Sequence, residues 1–292
     1  MCDNDDFEAM VQYRRRAASF SRRQFGALGV GAGLLSLVPA GAYAAATTGA
    51  DVAIKTPDGT CDAYFVHPTK GKHPAVLIWP DIFGLRPAFK QMATRLAESG
   101  YAVLVVNPFY RLQKAPTSPE HADFQDPATR KLLTEQMQSL SPQTVATDAG
   151  AFVPWLDAQA AVDTQRKMAT TGYCMGGPYT LRTAAQFPDR IGAIASFHGA
   201  ALANASPDSP HLLVPKMKAS ALIAIATSDD KTDPKAKDLL RQAFAAAGLP
   251  AEIEVYTDTM HGWCPTDSHV YNHDQAEKAW SRMLVLFDKA LV

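Results

Sequence analysis

The segment Gly172-Tyr173-Cys174-Met175-Gly176-Gly177 constrains the fold more than any other part of the chain. It has the form G-x-nucleophile-x-G, in which a strand reverses sharply into a helix and presents one side chain at the turn. Glycine is needed on both sides of that side chain because a Cβ atom would clash in so tight a turn. The motif therefore predicts that Cys174 presents a thiol at the end of a buried strand.

The residues on either side agree with a strand-turn-helix unit. Residues 167–171 predict a short buried strand, and residues 179–187 predict a helix, with Pro178 in its first turn, where a missing N–H is harmless. The thiol would then lie at a helix N-terminus, whose partial positive charge favours a thiolate. Free cysteine is also among the most buried residue types, so the motif alone leaves a structural role for Cys174 open.

Such a nucleophile needs a base, and the base needs an acid that orients it, in the chain order nucleophile, acid, histidine. Residues 219–226 predict a buried strand that is followed by three carboxylates, Asp229, Asp230 and Asp233. They lie just past the strand's carboxyl end, where open α/β sheets place their sites. Asp230 is the favoured acid, and the other two compete with it.

His261 is the candidate base, because it follows the last predicted strand, residues 252–256, and precedes the final helix. His198 follows the predicted strand 191–197 and is a competing candidate, more simply interpreted as a pocket wall or as a residue packed behind the site. Five further histidines lie in polar segments or beside a Lys-rich turn and are assigned to the surface: His67, His73, His211, His269 and His273.

Short apolar strands alternate with helical segments along most of the chain. Strands are predicted at 52–56, 60–66, 75–79, 102–106, 167–171, 191–197, 219–226 and 252–256. The first two form a hairpin, and the rest predict an α/β fold with a mostly parallel sheet covered by helices on both faces. The segment 111–143 interrupts this pattern and is interpreted equally as surface packing or as a partial lid.

Four motifs in this order resemble the dienelactone hydrolase family of α/β-hydrolases: the elbow, Trp79-Pro80-Asp81-Ile82-Phe83-Gly84, Asp230-x-x-x-Pro234 and His261-Gly262-Trp263. The resemblance runs from residue 51 to the C-terminus. It implies a triad of Cys174, His261 and Asp230 that hydrolyses lactones or small esters through an acyl-enzyme, without a cofactor.

The resemblance also implies roles for the loop after the early strand. The oxyanion hole would consist of the backbone N–H groups of Met175 and Ile82. Family members that hydrolyse dienelactone couple a glutamate to the thiol, and Asp81 occupies that place here, one methylene shorter, as a candidate thiol partner. Arg86 and Arg111 lie near the site loops but in no family motif, so the sequence does not name the substrate.

The N-terminus predicts where the protein acts. Ser21-Arg22-Arg23-Gln24-Phe25 is a twin-arginine signature, and Ala42-Tyr43-Ala44 fits the small-x-small cleavage pattern. We expect the Tat export machinery to carry the protein to the periplasm or outside the cell, with residues 1–44 removed and residues 45–292 forming one catalytic domain. The uncharged stretch 24–50 leaves a membrane anchor as the alternative, but its Gly/Ala-rich composition favours cleavage.

Composition excludes several classes of protein. The formal net charge is −1, and no cluster of Lys and Arg is typical of a nucleic-acid surface. No Cys-x-x-Cys or His-Glu-x-x-His spacing indicates a metal site. Cys61 and Cys264 leave a disulfide open, because an exported protein meets oxidising conditions.

Two other functions remain open from sequence alone. A thioesterase or a general carboxylesterase would use the same three residue types on other acyl groups. A non-catalytic exported binding protein could use the same scaffold, because fold does not dictate function.

Overall fold

The computed structural model describes residues 45–292, which form one compact unit. Its strands are β1 (Thr47–Thr56), β2 (Gly59–Pro68), β3 (Ala75–Trp79), β4 (Ala102–Val106), β5 (Met168–Tyr173), β6 (Ile191–Phe197), β7 (Ser220–Ala226) and β8 (Ala251–Tyr256). They form one sheet in the order β1-β2-β4-β3-β5-β6-β7-β8. The β1–β2 and β2–β4 pairs are antiparallel, and all later pairs are parallel.

The helices are α1 (Pro87–Glu98), α2 (Pro127–Gln138), α3 (Pro142–Asp157), α4 (Gly177–Gln186), α5 (Thr227–Thr232), α6 (Ala236–Ala246) and α7 (His273–Ala290). Short 3₁₀ helices cover Cys174–Gly176 and Pro210–Lys216. Side-chain caps start three of the α-helices: Asp126, Ser141 and Asn272 each accept a hydrogen bond from a backbone N–H in the first turn.

Helices cover both faces of the sheet, and the pleat of β3 shows how. Leu77 and Trp79 point into a core shared with α3, α4 and α6, whereas Val76 and Ile78 point into a second core shared with α1 and α7. Residues of β3, β4 and β5 are all buried, which explains why β3 and β4 are continuous apolar runs rather than alternating patterns.

The parallel strands bring their carboxyl ends to one edge. Trp79 pairs with Gly172, and Gly172 pairs with Ser196, so β3, β5 and β6 end side by side. Strands β7 and β8 continue the same edge, with Ala226 opposite Tyr256. The segments after these five strands therefore meet above the sheet, as the strand order predicts for a site.

The predicted fold class is confirmed, including the initial hairpin. Two helices were not predicted. Helix α2 lies within the segment 111–143 and buries few side chains, Leu133 among them, so its apolar pattern is weak. Helix α5 is composed of polar residues and is only six residues long, so its sequence resembles a loop.

The first part of the segment 111–143 packs on the turn after β3. Ser118 Oγ donates to the carbonyl oxygen of Phe83 at 3.0 Å, and the Thr117 hydroxyl lies where a Cβ atom on Gly84 would be. Gln136 of α2 donates to the carbonyl oxygen of Thr117 at 2.8 Å. Surface packing of this segment is thus present, and the partial lid remains a prediction.

The predicted signal peptide, residues 1–44, lies outside the described residues. Within residues 45–292, no helix is both long enough and apolar enough to span a bilayer.

Candidate active site

The turn after β5 has the geometry of a nucleophile elbow. A Cβ atom on Gly172 would lie 2.1 Å from the carbonyl oxygen of Gly176, and one on Gly176 would lie 2.3 Å from that of Trp79. Only glycine fits at both positions. Cys174 between them has a φ of +52°, in a region that costs a non-glycine residue on the order of 1–3 kcal/mol. The strain of the turn is concentrated at the cysteine.

Cys174 is partly exposed at the start of the 3₁₀ helix that leads into α4. Its carbonyl oxygen accepts a hydrogen bond of 3.2 Å from the N–H of Ala200, in the loop after β6. The thiol thus lies at the N-terminal end of a helical segment, as the motif predicts, and it is open to solvent.

The His261 ring lies between a carboxylate and the thiol. Its Nδ1 is 3.0 Å from each carboxylate oxygen of Asp229, and the ring lies near enough to the Cys174 thiol for the sulfur to raise the pKa of His261. The backbone N–H of His261 donates to Ser228 Oγ at 2.9 Å, which fixes the loop after β8 against α5. The structure therefore lines up a nucleophile, a base and an acid that orients the base, in that order in space.

The structure corrects the choice of acid, because Asp230 does not contact His261. Strand β7 runs directly into α5, and successive residues of an α-helix point about 100° apart. Asp229 therefore faces His261, whereas Asp230 Oδ1 forms an ion pair with Lys237 Nζ at 2.6 Å. No pattern in this polar stretch predicts a helix, so the helical geometry that separates the two carboxylates was not predicted.

The start of α5 is held in place by Thr259, which the sequence analysis did not single out. Its hydroxyl accepts from the N–H of Thr227 at 3.1 Å and donates to the carbonyl oxygen of Tyr256 at 2.7 Å. Thr259 is buried. The orientation of Asp229 thus depends on a side chain from the loop that carries His261, and no local sequence signal marks this contact.

The surroundings of His261 favour its protonated form. Desolvation opposes charge on the ring, but the negative charges of Cys174 and Asp229 and hydrogen bonds to both raise the pKa of His261 well above its usual value. These surroundings therefore support an imidazolium at His261 beside the Asp229 carboxylate.

The backbone N–H of Ile82, in the loop after β3, is not used by the hydrogen bonds of the loop itself. The N–H of Phe83 donates to Asp81 Oδ1 at 3.0 Å, and that of Gly84 donates to the Asp81 carbonyl oxygen at 2.9 Å. Within residues 45–292 the N–H of Ile82 has no acceptor. Ile82 thus keeps the free donor that its predicted oxyanion role requires, and Met175 lies in the first turn of the 3₁₀ helix, where N–H groups lack helical acceptors.

Residues 61–291 match the model of the dienelactone hydrolase family. The chain belongs to this family. The resemblance inferred from the four motifs is confirmed, and with it the prediction of a hydrolase of the ester and lactone class.

Known relatives and solved structures agree with this membership. A carboxymethylenebutenolidase of Rhodococcus opacus is 27% identical over 242 residues, which cover 81% of this chain and 90% of that protein. A solved Klebsiella pneumoniae structure assigned as a dienelactone hydrolase matches with a TM-score of 0.73 at 24% identity, covering 84% of this chain and 99% of the other. A dienelactone hydrolase-like phosphotriesterase from metagenomic libraries matches at 20% identity and a TM-score of 0.70, covering 85% of this chain and 100% of the other. Both solved structures show a shared fold.

In this member of the family, Asp81 has a partner other than the thiol. Its Oδ1 accepts from Arg86 Nη1 at 2.6 Å, and its Oδ2 accepts from Arg86 Nη2 at 2.9 Å. Within the described part of the chain, no hydrogen bond joins Asp81 to Cys174. The structure thus places the predicted thiol partner in a bidentate ion pair, next to the oxyanion donor of Ile82.

The two arginines that the sequence analysis noted are both held by carboxylates. Arg86 contacts Asp81 and also Asp267, at 2.7 Å. Arg111 contacts Asp58 at 2.6 Å and the buried Asp148 at 2.7 Å. Neither guanidinium is free to hold a carboxylate of a substrate.

His198 lies against the base rather than acting in its place. It is fully buried, and its ring centroid is 5.2 Å from that of His261 in an edge-to-face arrangement. Both ring nitrogens lack a hydrogen-bond partner within residues 45–292. Burial, aided by the charges of His261 and Arg86, lowers the pKa of His198 well below its usual value, so the ring is neutral. With no exposed surface, the ring packs behind the base, which fits the second of the two interpretations.

Three cysteines within residues 45–292 are free thiols: Cys61, Cys174 and Cys264. Cys61 faces the core beside α3, whereas Cys264 faces the core beside α1 and α7, so the sheet lies between them. Burial raises the pKa of the Cys264 thiol well above its usual value. Cys61 and Cys264 therefore do not form the disulfide that the sequence left open.

Within the part of the chain that the structure describes, no group of three His, Cys, Asp or Glu side chains is arranged to hold a metal ion.

Proposed function

We propose that this protein is an exported cysteine hydrolase of small esters or lactones, with Cys174, His261 and Asp229 as its triad and an acyl-enzyme as its intermediate. The single observation that carries the proposal is the position of the His261 ring, which contacts both Asp229 oxygens at 3.0 Å and reaches the thiol of the strained elbow. This arrangement is the one that nucleophilic acyl transfer needs.

In the first half of the reaction, the Cys174 thiolate attacks the carbonyl carbon of the ester, and the carbonyl π electrons move to its oxygen. The N–H groups of Met175 and Ile82 stabilise the oxyanion, since backbone donors directed at developing charge lower the barrier. As the tetrahedral intermediate collapses, the C–O bond breaks, and the His261 imidazolium gives its proton to the leaving alkoxide. The product is a thioester on Cys174 and an alcohol, which stays attached to the acyl group if the substrate is a lactone.

In the second half, neutral His261 removes a proton from water, and the resulting hydroxide attacks the thioester carbonyl. The C–S bond then breaks, which releases a carboxylic acid and restores the Cys174 thiolate beside the His261 imidazolium. Asp229 stabilises the imidazolium in both resting and intermediate states and fixes the ring so that Nδ1 carries its proton toward the carboxylate.

The substrate class follows from family membership and from the charges at the site. The Rhodococcus opacus relative is a carboxymethylenebutenolidase, which supports a lactone as the substrate here. Arg86 and Arg111 are each engaged by two carboxylates, so neither supports recognition of a substrate carboxylate. We therefore propose a small lactone or ester whose recognition does not depend on these two arginines.

Export is proposed on the twin-arginine signature at residues 21–25 and on the cleavage pattern Ala42-Tyr43-Ala44. N-terminal sequencing of the protein recovered outside the cytoplasm should begin at Ala45. Recovery of the uncleaved chain from the membrane fraction would support an anchor instead.

Active-site titration tests the catalytic proposal. The wild type should release one nitrophenol per active site in a burst when mixed with 4-nitrophenyl acetate, because acylation precedes slower deacylation. Cys174→Ala should show neither the burst nor turnover, with an unchanged circular dichroism spectrum. Undiminished turnover by a folded Cys174→Ala variant would overturn the triad, and absence of turnover of any ester or lactone by the wild type would favour a binding protein.

A further inference from the structure

The guanidinium of Arg86 is nearly saturated by hydrogen bonds to two loops. It forms the bidentate pair with Asp81, while Nε and Nη2 donate to the two carboxylate oxygens of Asp267 at 2.7 and 3.0 Å. Its Nη1 also contacts the carbonyl oxygen of Gly84. The side chain is only 12% exposed. Such a partly buried, multiply bonded guanidinium is held far more firmly than an isolated exposed ion pair.

The two carboxylates belong to different parts of the site. Asp81 precedes Ile82, the oxyanion donor in the loop after β3. Asp267 lies six residues after His261, in the loop between β8 and α7. Arg86 thus connects the loop that carries the oxyanion donor to the loop that carries the base.

We propose that Arg86 is a positioning residue that holds the Ile82 N–H in the oxyanion hole by fixing the loop after β3. This inference rests on the proposed function. Asp229 and Ser228 hold His261 without help from Arg86, so the position of the loop after β8 does not depend on Arg86. The loop after β3, which carries Ile82, is the one that Arg86 holds in position.

Aromatic packing orients the guanidinium from its other sides. Its carbon lies 4.9 Å from the centroid of the Phe89 ring and 5.4 Å from that of Phe83. A planar guanidinium can bind two carboxylates bidentately and still stack on rings, whereas an ammonium is a point charge with three short donors. Lysine at this position would keep the charge but could not maintain both bidentate contacts.

The arrangement also separates this protein from family members in which a carboxylate couples to the thiol. Both oxygens of Asp81 are engaged by Arg86, so the proton of the Cys174 thiol passes to His261 alone. In Arg86→Lys the ammonium can still pair with Asp81, so the change should affect the stabilisation of the oxyanion and leave the formation of the thiolate unchanged.

Two reactions of Cys174 distinguish these effects. Hydrolysis of 4-nitrophenyl acetate needs the thiolate and the oxyanion hole, whereas alkylation by iodoacetamide needs only the thiolate. For Arg86→Lys we expect kcat to fall by about 10- to 100-fold, the order for a displaced oxyanion donor. We expect KM to stay within about threefold, because the donor acts on the transition state. The rate of alkylation and its pH profile should match those of the wild type.

Arg95→Lys is the matched control. Within residues 45–292 the side-chain hydrogen bonds of Arg95 go only to Glu277, between α1 and α7, so its variant should keep kcat. Asp267→Asn removes one end of the connection and should lower kcat in the same direction by a smaller factor. It also serves as the second variant if Arg86→Lys fails to fold.

The two proposals fail in different ways. A folded Arg86→Lys variant with wild-type kcat would overturn the positioning role while leaving the triad intact. A shift of the alkylation pH profile would also overturn it, because Arg86 would then act on the thiolate. Full activity of Cys174→Ala, in contrast, would overturn the proposed function itself.

Discussion

The turns after β5 and β7 both bring a side chain to the site, but they are built differently. The turn after β5 is strained, with Cys174 at a φ of +52° and glycines at positions where any Cβ atom would clash with backbone. The turn after β7 is an ordinary helix start, held by hydrogen bonds from Thr259. A strained turn can be recognised in the sequence, because only glycine fits at its crowded positions. Hydrogen bonds from a distant loop give no such local pattern.

This difference explains which site residue was predicted correctly. The glycine pattern identified the elbow, and the structure has that turn. The acid was chosen from three neighbouring carboxylates, and the structure places Asp229 rather than Asp230 on His261.

The largest effect is expected at the strained turn. Gly176→Ala would place a Cβ atom 2.3 Å from the carbonyl oxygen of Trp79, so the elbow and β3 cannot keep their positions. We expect loss of ester hydrolysis and destabilisation by about 3 kcal/mol or more, at the upper end for single substitutions. Urea unfolding and burst titration measure the two effects.

Gly150→Ala is the matched control for this change. Gly150 lies in α3, and its added Cβ atom would meet only the Gln186 side chain at 3.5 Å. Alanine favours a helix interior over glycine by about 1 kcal/mol, so this variant should be at least as stable as the wild type and fully active. Equal losses in the two variants would show that the elbow glycines have no special steric role.

The next largest effect is expected at the unstrained turn. Asp229→Asn should lower kcat by about 10²- to 10⁴-fold, because the His261 ring loses the charge that stabilises its imidazolium and fixes its tautomer. Asp230→Asn removes only the ion pair with Lys237 and should change kcat by less than about threefold. Steady-state kinetics on 4-nitrophenyl acetate compare the two. A larger fall in kcat for Asp230→Asn than for Asp229→Asn would show that Asp230 is the catalytic acid, as the sequence favoured.

The smallest effect is expected at His198, which follows the strand between the two turns. Its folded pKa lies well below the unfolded value of about 6.5. Below pH 6.5 the unfolded chain therefore binds a proton that the native state excludes, and stability falls with pH by up to about 1.4 kcal/mol per pH unit. His198→Phe removes this pH-dependent loss of stability. The free energy of unfolding of the variant, relative to that of the wild type, should therefore increase as the pH is lowered from 7.5 to 5.0.

Urea unfolding of both proteins at pH 8.5, 7.5 and 5.0 provides this comparison. The difference between variant and wild type should be the same at the two higher pH values, where His198 is neutral in both states. A difference that is also constant down to pH 5.0 would contradict the account of a buried neutral His198.

Much of the fold was predictable because it depends on patterns within the chain. The buried strands β3 and β4 are continuous apolar runs, and the turn at Pro57-Asp58 separates the two strands of the hairpin. Helix α5 was not predictable in this way, since it is polar and short and is held by Thr259 from another loop.

The partners of charged residues were beyond the sequence for the same reason. Asp81 and Asp267 lie far apart in the chain, and only the fold brings both to Arg86. Arg111 similarly joins the turn of the hairpin to α3 through Asp58 and Asp148. The sequence could identify these arginines as near the site loops, but not that carboxylates of the protein already occupy them.

The most direct test of the proposed triad is the mass and location of the acyl group during turnover. The wild type is mixed with 4-nitrophenyl acetate, quenched in acid during the burst and digested with trypsin, which yields the peptide of residues 168–182. We expect one acetyl group on this peptide at Cys174, none on the same peptide of Cys174→Ala, and a longer-lived adduct in Asp229→Asn than in Asp230→Asn. An acetyl group on another residue, or turnover with no adduct on Cys174 at any quench time, would contradict the triad.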